Sequence, residues 1–178
     1  MNYFEFFGIP VSFLPDEAGL KQLFLQNSKK YHPDFHTLAP AEKQEEILEL
    51  STLNNQAFRT LSDFDRRMKY ILELKGALKE EGKNEIPQAF LLEMMEINEA
   101  LMELEFDFDE KIFQAAKDKT RQLEAELDEA IRPALESYDE TKGSPGELEA
   151  VKDFYLKKRY VWRIQENLDR FAPASKEA

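Results

Sequence analysis

Apolar residues recur at about every third or fourth position along most of the chain, whereas strand-like alternation is scarce. This spacing matches the 3.6-residue turn of an α-helix, so the sequence predicts an all-α protein. Prolines, glycines and acidic residues mark where the helices of the N-terminal half begin and end. These predicted helices cover residues 3–7, about 15–31, about 40–61 and about 63–74.

A polar stretch bounded by glycines and ending in Pro87 is typical of a linker between two halves. Three further helices are predicted, over about 88–105, 109–138 and 147–171. The middle one carries the seam of an antiparallel helix bundle: Phe113, Ala116, Thr120, Leu123, Leu127, Ala130 and Ala134. The predicted organisation is a first domain at 1–75, a linker at 76–87, a three-helix domain at 88–172 and a tail at 173–178.

Composition narrows the class of protein. The 178 residues are 42% hydrophobic and 34% charged, which suits one or two modest helical cores. The absence of cysteine excludes disulfides, thiolate nucleophiles and cysteine-based metal sites. No run approaches the roughly 20 apolar residues of a membrane span, and no signal peptide is recognisable, so the expected location is the cytoplasm. The net charge of −12 disfavours nucleic acid. We expect protein partners, no membrane association and no cofactor.

The most informative motif is His32-Pro33-Asp34, which follows the second helix. Proline disfavours helical geometry in the residue before it, so the helix should stop and leave the imidazole and carboxylate on an exposed loop. The two histidines, His32 and His36, have Pro33 between them and cannot share a regular helical metal face. An acid/base enzyme using His32 and Asp34 is a weak alternative, because no nucleophile or phosphate-binding loop accompanies the pair.

The second helix has a basic outer side. Lys21, Lys29 and Lys30 lie away from its apolar stripe. In an acidic protein, a positive face beside an exposed motif suggests docking onto a negatively charged partner. The alternative is that these lysines only solvate the helix.

The helix after the linker has two apolar faces. One is a complete core stripe of Phe90, Met94, Ile97, Leu101 and Leu104. The other combines apolar and acidic residues and suggests a partner-binding patch. It contains Leu91, Leu92, Met95, Glu96, Glu99, Met102 and Glu103, and Tyr160 and Trp162 of the last helix could extend it. The alternatives are that a larger bundle or a homodimer buries both faces.

Taken together, these segments resemble a known family. Tyr31-His32-Pro33-Asp34 after two lysines, followed by residues 53–63 (LNNQAFRTLSD), resembles the J domain of chaperone partners. Residues 2–10 (NYFEFFGIP) and 90–93 (FLLE) are similar to HscB-type co-chaperones of iron–sulfur cluster assembly. The resemblance spans almost the whole chain. It implies a J domain, a helical hairpin with short flanking helices, followed by a C-terminal three-helix domain.

The resemblance also implies roles for individual residues. His32, Pro33 and Asp34 match the motif that stimulates ATP hydrolysis by a DnaK/HscA-type chaperone, and the second-helix lysines match the face that binds it. The expected scaffold-binding residues, which would hold an IscU-like protein, are Leu91, Leu92, Met95, Glu96, Glu99, Glu103 and Tyr160. The chain would then activate another protein's ATPase rather than be an enzyme. Phe35 departs from the family, because a lysine usually follows the tripeptide. The alternative is a general J-domain co-chaperone for misfolded clients.

Overall fold

The computed structural model of the chain describes residues 1–79, 83–142 and 144–171. The predicted all-α class is confirmed, since helices account for 78% of the residues and no strand occurs in these ranges. None of the helices within them is long and apolar enough to cross a bilayer. The predicted tail at 173–178 and residues 80–82 of the predicted linker lie outside the described residues.

Contacts divide the chain into two compact units. The first comprises Met1–Gly76 together with Leu135–Pro145, and the second comprises Ala77–Ala134 and Gly146–Ala178. Eight α-helices and two short 3-10 helices occur in the described ranges. The α-helices are α1 Tyr3–Phe7, α2 Glu17–Lys30, α3 Ala41–Leu61, α4 Phe64–Leu74, α5 Gln88–Glu93, α6 Met95–Phe106, α7 Glu110–Ser137 and α8 Pro145–Phe171. The 3-10 helices are Pro33–His36 and Glu140–Lys142.

The first unit is built around the hairpin of α2 and α3. Asp16 caps the start of α2 by accepting hydrogen bonds from the backbone of Ala18 and Gly19, each at 3.1 Å. Asn54 of α3 is buried and donates from Nδ2 to the Phe24 carbonyl of α2 at 3.2 Å. The apolar core around this hairpin consists of Phe4, Phe7, Val11, Phe13, Leu20, Ile47, Ala57, Leu61, Met68, Ile71 and Leu72.

Residues 135–145, which comprise the end of α7, the segment that follows it and the first residue of α8, also belong to the first unit. The Tyr138 ring packs edge-on against Phe13, with 4.8 Å between the ring centroids. Lys75 forms an ion pair with Glu140. Burial raises the pKa of Tyr138, the effect expected for a phenol held against an aromatic core. The chain therefore returns to its N-terminal unit between its two longest helices.

A buried guanidinium ties α4 to the segment before α2. Arg67 is only 2% exposed, and its Nε donates to the Phe13 carbonyl at 2.9 Å. The same side chain donates from Nη1 to the carbonyl of Leu61, and its Nη2 lies 3.8 Å from Glu17 Oε1. Burial lowers the pKa of Arg67, while the charges of Glu17 and Asp63 act in the opposite direction. Arg67 thus satisfies carbonyls that would otherwise lose their hydrogen bonds.

We expect Arg67→Met to lower the free energy of unfolding by about 2 kcal/mol, because methionine fills the space but leaves two carbonyls without their donor. Urea unfolding followed by circular dichroism measures the change. Arg66→Met is the matched control, since Arg66 is the exposed neighbour on the same helix. The control should change the free energy of unfolding by less than about 0.5 kcal/mol. Equal effects of the two substitutions would contradict the structural role of Arg67.

The second unit buries the stripe that the sequence predicts on its first helix. Phe90, Met94, Ile97, Leu101 and Leu104 are all buried, and they pack against residues of α7 and α8. The single helix predicted over 88–105 is wrong in one respect: it is two helices, α5 and α6, separated at Met94. Met94 keeps helical backbone angles, φ −78° and ψ −12°, so the stripe continues across the break.

The predicted seam of α7 is correct only in its first part. Phe113, Ala116 and Thr120 are buried, whereas Ala130 is exposed. Ile131 and Leu135 are buried further along the helix. Beyond Leu127 the buried positions are therefore four residues apart. Burial of the larger side chains of Ile131 and Leu135 removes more apolar surface from water than burial of alanine would. The helix continues through Pro133 to Ser137.

Candidate functional site

The His-Pro-Asp corner (residues 32–34) is exposed at all three positions. Its segment is a short 3-10 helix, Pro33–His36, rather than the irregular loop that the sequence predicts. His32 precedes this helix with extended backbone angles, φ −73° and ψ 123°, as a residue before proline should. His32 Nδ1 accepts a hydrogen bond from the backbone N–H of Asp34 at 3.3 Å. A neutral imidazole in this role carries its proton on Nε2.

Two side chains hold the corner in place. On the α2 side, His36 donates from Nε2 to the Lys30 carbonyl at 2.9 Å, which satisfies an acceptor at the C-terminal end of the helix. On the α3 side, Gln44 donates from Nε2 to the carbonyls of Thr37 at 3.1 Å and Ala39 at 2.8 Å. The corner is therefore attached to both helices of the hairpin.

Neither attachment follows from local sequence patterns. The sequence pattern raises His36 only as a possible metal ligand, although its position shortly after α2 places it within reach of free carbonyls at the helix end. Gln44 lies in an ordinary polar run at the start of α3, and nothing in that run marks it.

The three lysines predicted to form a basic face are exposed. Lys21, Lys29 and Lys30 make no ion pair within the part of the chain that the structure describes. Lys30 Nζ lies 5.0 Å from the centroid of the Tyr31 ring, a cation–π contact that leaves the charge at the surface. Their charge is thus available to an acidic partner, and their binding role stays a prediction.

The outer face of α5 and α6 consists of the seven residues Leu91, Leu92, Met95, Glu96, Glu99, Met102 and Glu103. All seven are exposed, including Leu92 at 61% and Met95 at 51%. The opposite stripe is buried, so the second unit seals one face of this helix pair and leaves the other in solvent. Within the described residues, no further helix covers the outer face. Exposed apolar side chains rimmed by carboxylates are typical of a recognition surface.

Helix α7 adds to the rim of this outer face. Lys119 forms an ion pair with Glu96, and a shallow depression beside it is lined by Leu92, Gln122 and Leu123 among others. Lys119 is a functional candidate that the sequence pattern does not reveal, because its partner is 23 positions away on another helix.

Tyr160 of α8 is half-buried beside the outer face. Its ring packs edge-on against Phe90, with 5.8 Å between the centroids, and its hydroxyl accepts a hydrogen bond from Asn98 Nδ2 at 3.0 Å. Tyr160 therefore supports α6 as well as standing near the outer face. Trp162, the other aromatic considered there, is exposed.

The described residues contain no group of three or more histidine, aspartate or glutamate side chains arranged to hold a metal ion. The full sequence contains no cysteine. The two exposed features described above are the polar His-Pro-Asp corner and the apolar-acidic outer face of α5 and α6.

Comparisons with known proteins identify the family. Residues 86–169 match the family model described as the HSCB C-terminal oligomerisation domain. The chain is 31% identical to a co-chaperone protein HscB homolog of Shewanella amazonensis, with 96% of each chain covered. It is 30% identical to the corresponding protein of Aeromonas hydrophila, again with 96% of each covered. The chain belongs to the HscB co-chaperone family.

Solved structures agree with this assignment. The crystal structure of human co-chaperone protein HscB has a TM-score of 0.70 and 27% identity, covering 96% of this chain and 81% of the human one. The chaperone HscB from Vibrio cholerae has a TM-score of 0.57 and 27% identity, covering 94% and 99%. Membership in the HscB family makes the chain a co-chaperone of iron–sulfur cluster assembly, a regulator rather than a catalyst.

Proposed function

We propose that this HscB-family chain stimulates the ATPase of a DnaK/HscA-type chaperone in the cytoplasm and delivers an IscU-like scaffold to it. The His-Pro-Asp corner is proposed as the trigger, with Lys21, Lys29 and Lys30 guiding an acidic chaperone surface toward it. The exposure of all these side chains supports this assignment. The trigger acts on the chaperone's catalytic cycle, so the chain itself turns over no substrate.

The proposed scaffold-binding site is the outer face of α5 and α6, with Tyr160 at its side. Leucine and methionine there offer flexible apolar contacts, and the glutamates favour a partner with positive charge around an apolar centre. The pairing of Glu96 with Lys119 limits the net negative charge of the rim. A narrow face of this kind suits one defined protein better than the many misfolded clients of a general J-domain co-chaperone, which would need a broad groove.

The single observation that carries the proposal is that both surfaces are exposed and fall in different units of the chain. We take residues 1–75 as the J domain and 88–172 as the scaffold-binding domain, joined by the linker at 76–87. Joining two weak sites on one chain raises the effective concentration of scaffold at the chaperone. The lack of thiols suits a helper that must not compete for iron or for the cluster.

This proposal is tested by measuring the ATPase of a purified HscA-type chaperone with the chain alone, an IscU-like scaffold alone, and both together. With both present, we expect half-maximal stimulation at a scaffold concentration about tenfold lower than without the chain. Purely additive stimulation would contradict delivery.

A mixing experiment is the control for joining the two sites on one chain. His32→Gln removes the proposed trigger, and Leu92→Ala with Met95→Ala removes the proposed scaffold contact. A mixture of these two variants contains both working sites, but on separate chains. We expect the mixture to lack the combined stimulation. Full stimulation by the mixture would show that the sites need not be connected.

A further inference from the structure

Three large apolar side chains lie in solvent beside the His-Pro-Asp corner. Phe35 is 68% exposed, Leu38 is 100% exposed and Leu48 of α3 is 59% exposed. Single exposed apolar residues are common on protein surfaces, whereas several around one motif indicate a contact with another molecule. We refer to Phe35, Leu38 and Leu48 as the apolar patch.

Backbone and side-chain contacts hold the apolar patch next to the corner. The Phe35 N–H donates to the His32 carbonyl at 3.1 Å, and the two rings lie 5.5 Å apart between centroids. The carbonyls on either side of Leu38 are both bound by Gln44, one helical turn before Leu48. Leu48 lines a shallow depression together with Pro33, a member of the tripeptide. The patch and the corner are thus neighbouring parts of one surface.

The charges around the apolar patch indicate what could cover it. Lys29 and Lys30 at the end of α2 are positive, whereas α3 presents Glu45 and Glu49 next to Leu48. A uniformly negative surface such as a nucleic acid or an anionic bilayer would meet repulsion from these carboxylates. A partner that matches these charges is acidic where it meets α2, apolar at its centre and basic where it meets α3. A folded protein can present such a mixed surface.

A second copy of this chain is a poor occupant on grounds of area. Three exposed side chains offer only a few hundred Å², compared with roughly 800 Å² per partner in a typical stable interface. The patch suits a contact that supplements another one, and the proposed chaperone site lies directly beside it.

We infer that Phe35, Leu38 and Leu48 form an apolar docking contact for the ATPase chaperone and set the affinity for it. This inference rests on the proposed function of the His-Pro-Asp corner. The patch has no group that can move a proton or neutralise charge, so it contributes binding and leaves triggering to the corner. Because the three side chains are uncharged, the contact they form depends little on salt concentration.

The test is a titration of a purified DnaK/HscA-type chaperone with the full chain, following ATP hydrolysis. Replacing the three patch residues by serine (Phe35→Ser, Leu38→Ser, Leu48→Ser) should raise the half-saturating co-chaperone concentration about fivefold, with an unchanged maximal rate. Leu14→Ser is the matched control, because Leu14 is an exposed leucine of the first unit outside the patch. Circular dichroism should show equal helicity for all variants, and Phe35→Leu with Leu48→Met should retain the parental half-saturation.

The outcomes separate this inference from the proposed function. If His32→Gln leaves stimulation intact, the proposed function fails and the inference fails with it. If His32→Gln abolishes stimulation but the triple serine variant keeps the parental half-saturation, only the inference is overturned. A reduced maximal rate at unchanged half-saturation would also overturn it, as would an equal shift in the Leu14→Ser control.

Discussion

Replacing His32 by glutamine is expected to abolish stimulation of the chaperone ATPase while leaving scaffold binding unchanged. Glutamine is polar and similar in size, but it lacks the ring nitrogen that accepts the Asp34 N–H. The imidazole of the proposed trigger is therefore lost, whereas the hydrogen bonds of His36 and Gln44 that hold the corner remain. We expect the stimulated increment in the ATPase rate to fall about tenfold or more. The loss should appear in the maximal rate, because a trigger acts after docking.

His36→Gln is the matched control for this measurement. His36 is the chain's second histidine, and its contribution is a donated hydrogen bond to Lys30, which a glutamine amide can also donate. Stimulation by this variant should stay near the parental level. Steady-state ATPase assays on both variants, with scaffold binding measured by calorimetry, distinguish the two roles. Full stimulation by His32→Gln would remove the basis for assigning the corner to the chaperone.

Truncating two residues of the outer face, Leu92→Ala together with Met95→Ala, is expected to weaken scaffold binding about a hundredfold. Both side chains are more than half exposed, so their loss leaves the core of the second unit intact. Helicity and thermal stability should therefore stay constant. The reduced affinity comes from the apolar centre of the contact, where truncation of buried anchors costs most.

Leu25→Ala provides the comparison, since Leu25 is an equally exposed leucine on the first unit. It should not change the affinity for the scaffold. Sedimentation of the parental and double-alanine proteins tests the homodimer alternative. If the double variant converts a dimer to a monomer and keeps full scaffold affinity, the outer face pairs with a second copy instead.

Some features of the fold could be predicted because they depend on local patterns. The spacing of the apolar residues from Phe90 to Leu104 predicts a buried stripe, and the structure confirms it. The stop before Pro33 follows from sterics within the dipeptide, and the backbone of His32 confirms it. The break at Met94 involves no proline or glycine, so the apolar pattern predicts one helix where the structure has two.

Other features depend on partners that are distant in sequence. Alanine and isoleucine at 130 and 131 both fit a helical repeat, and only the packing of the unit decides which one is buried. The contacts of Gln44 and Lys119 join separate elements, which periodicity cannot reveal. All the predicted site residues on the corner, the basic face and the outer face are exposed. Tyr160 is partly buried and packs against the core of the second unit. Their binding roles remain predictions.

The hydrogen bonds of His36 and Gln44 have a consequence for the proposed docking of the corner onto the chaperone. Because the turn that carries the corner is already fixed at both ends, docking requires little ordering of the backbone. A small binding surface that is already ordered can associate quickly, and its limited contact area allows rapid dissociation. Such a surface suits a partner that must engage and depart once per round of nucleotide hydrolysis, so that one molecule can serve many chaperones in succession.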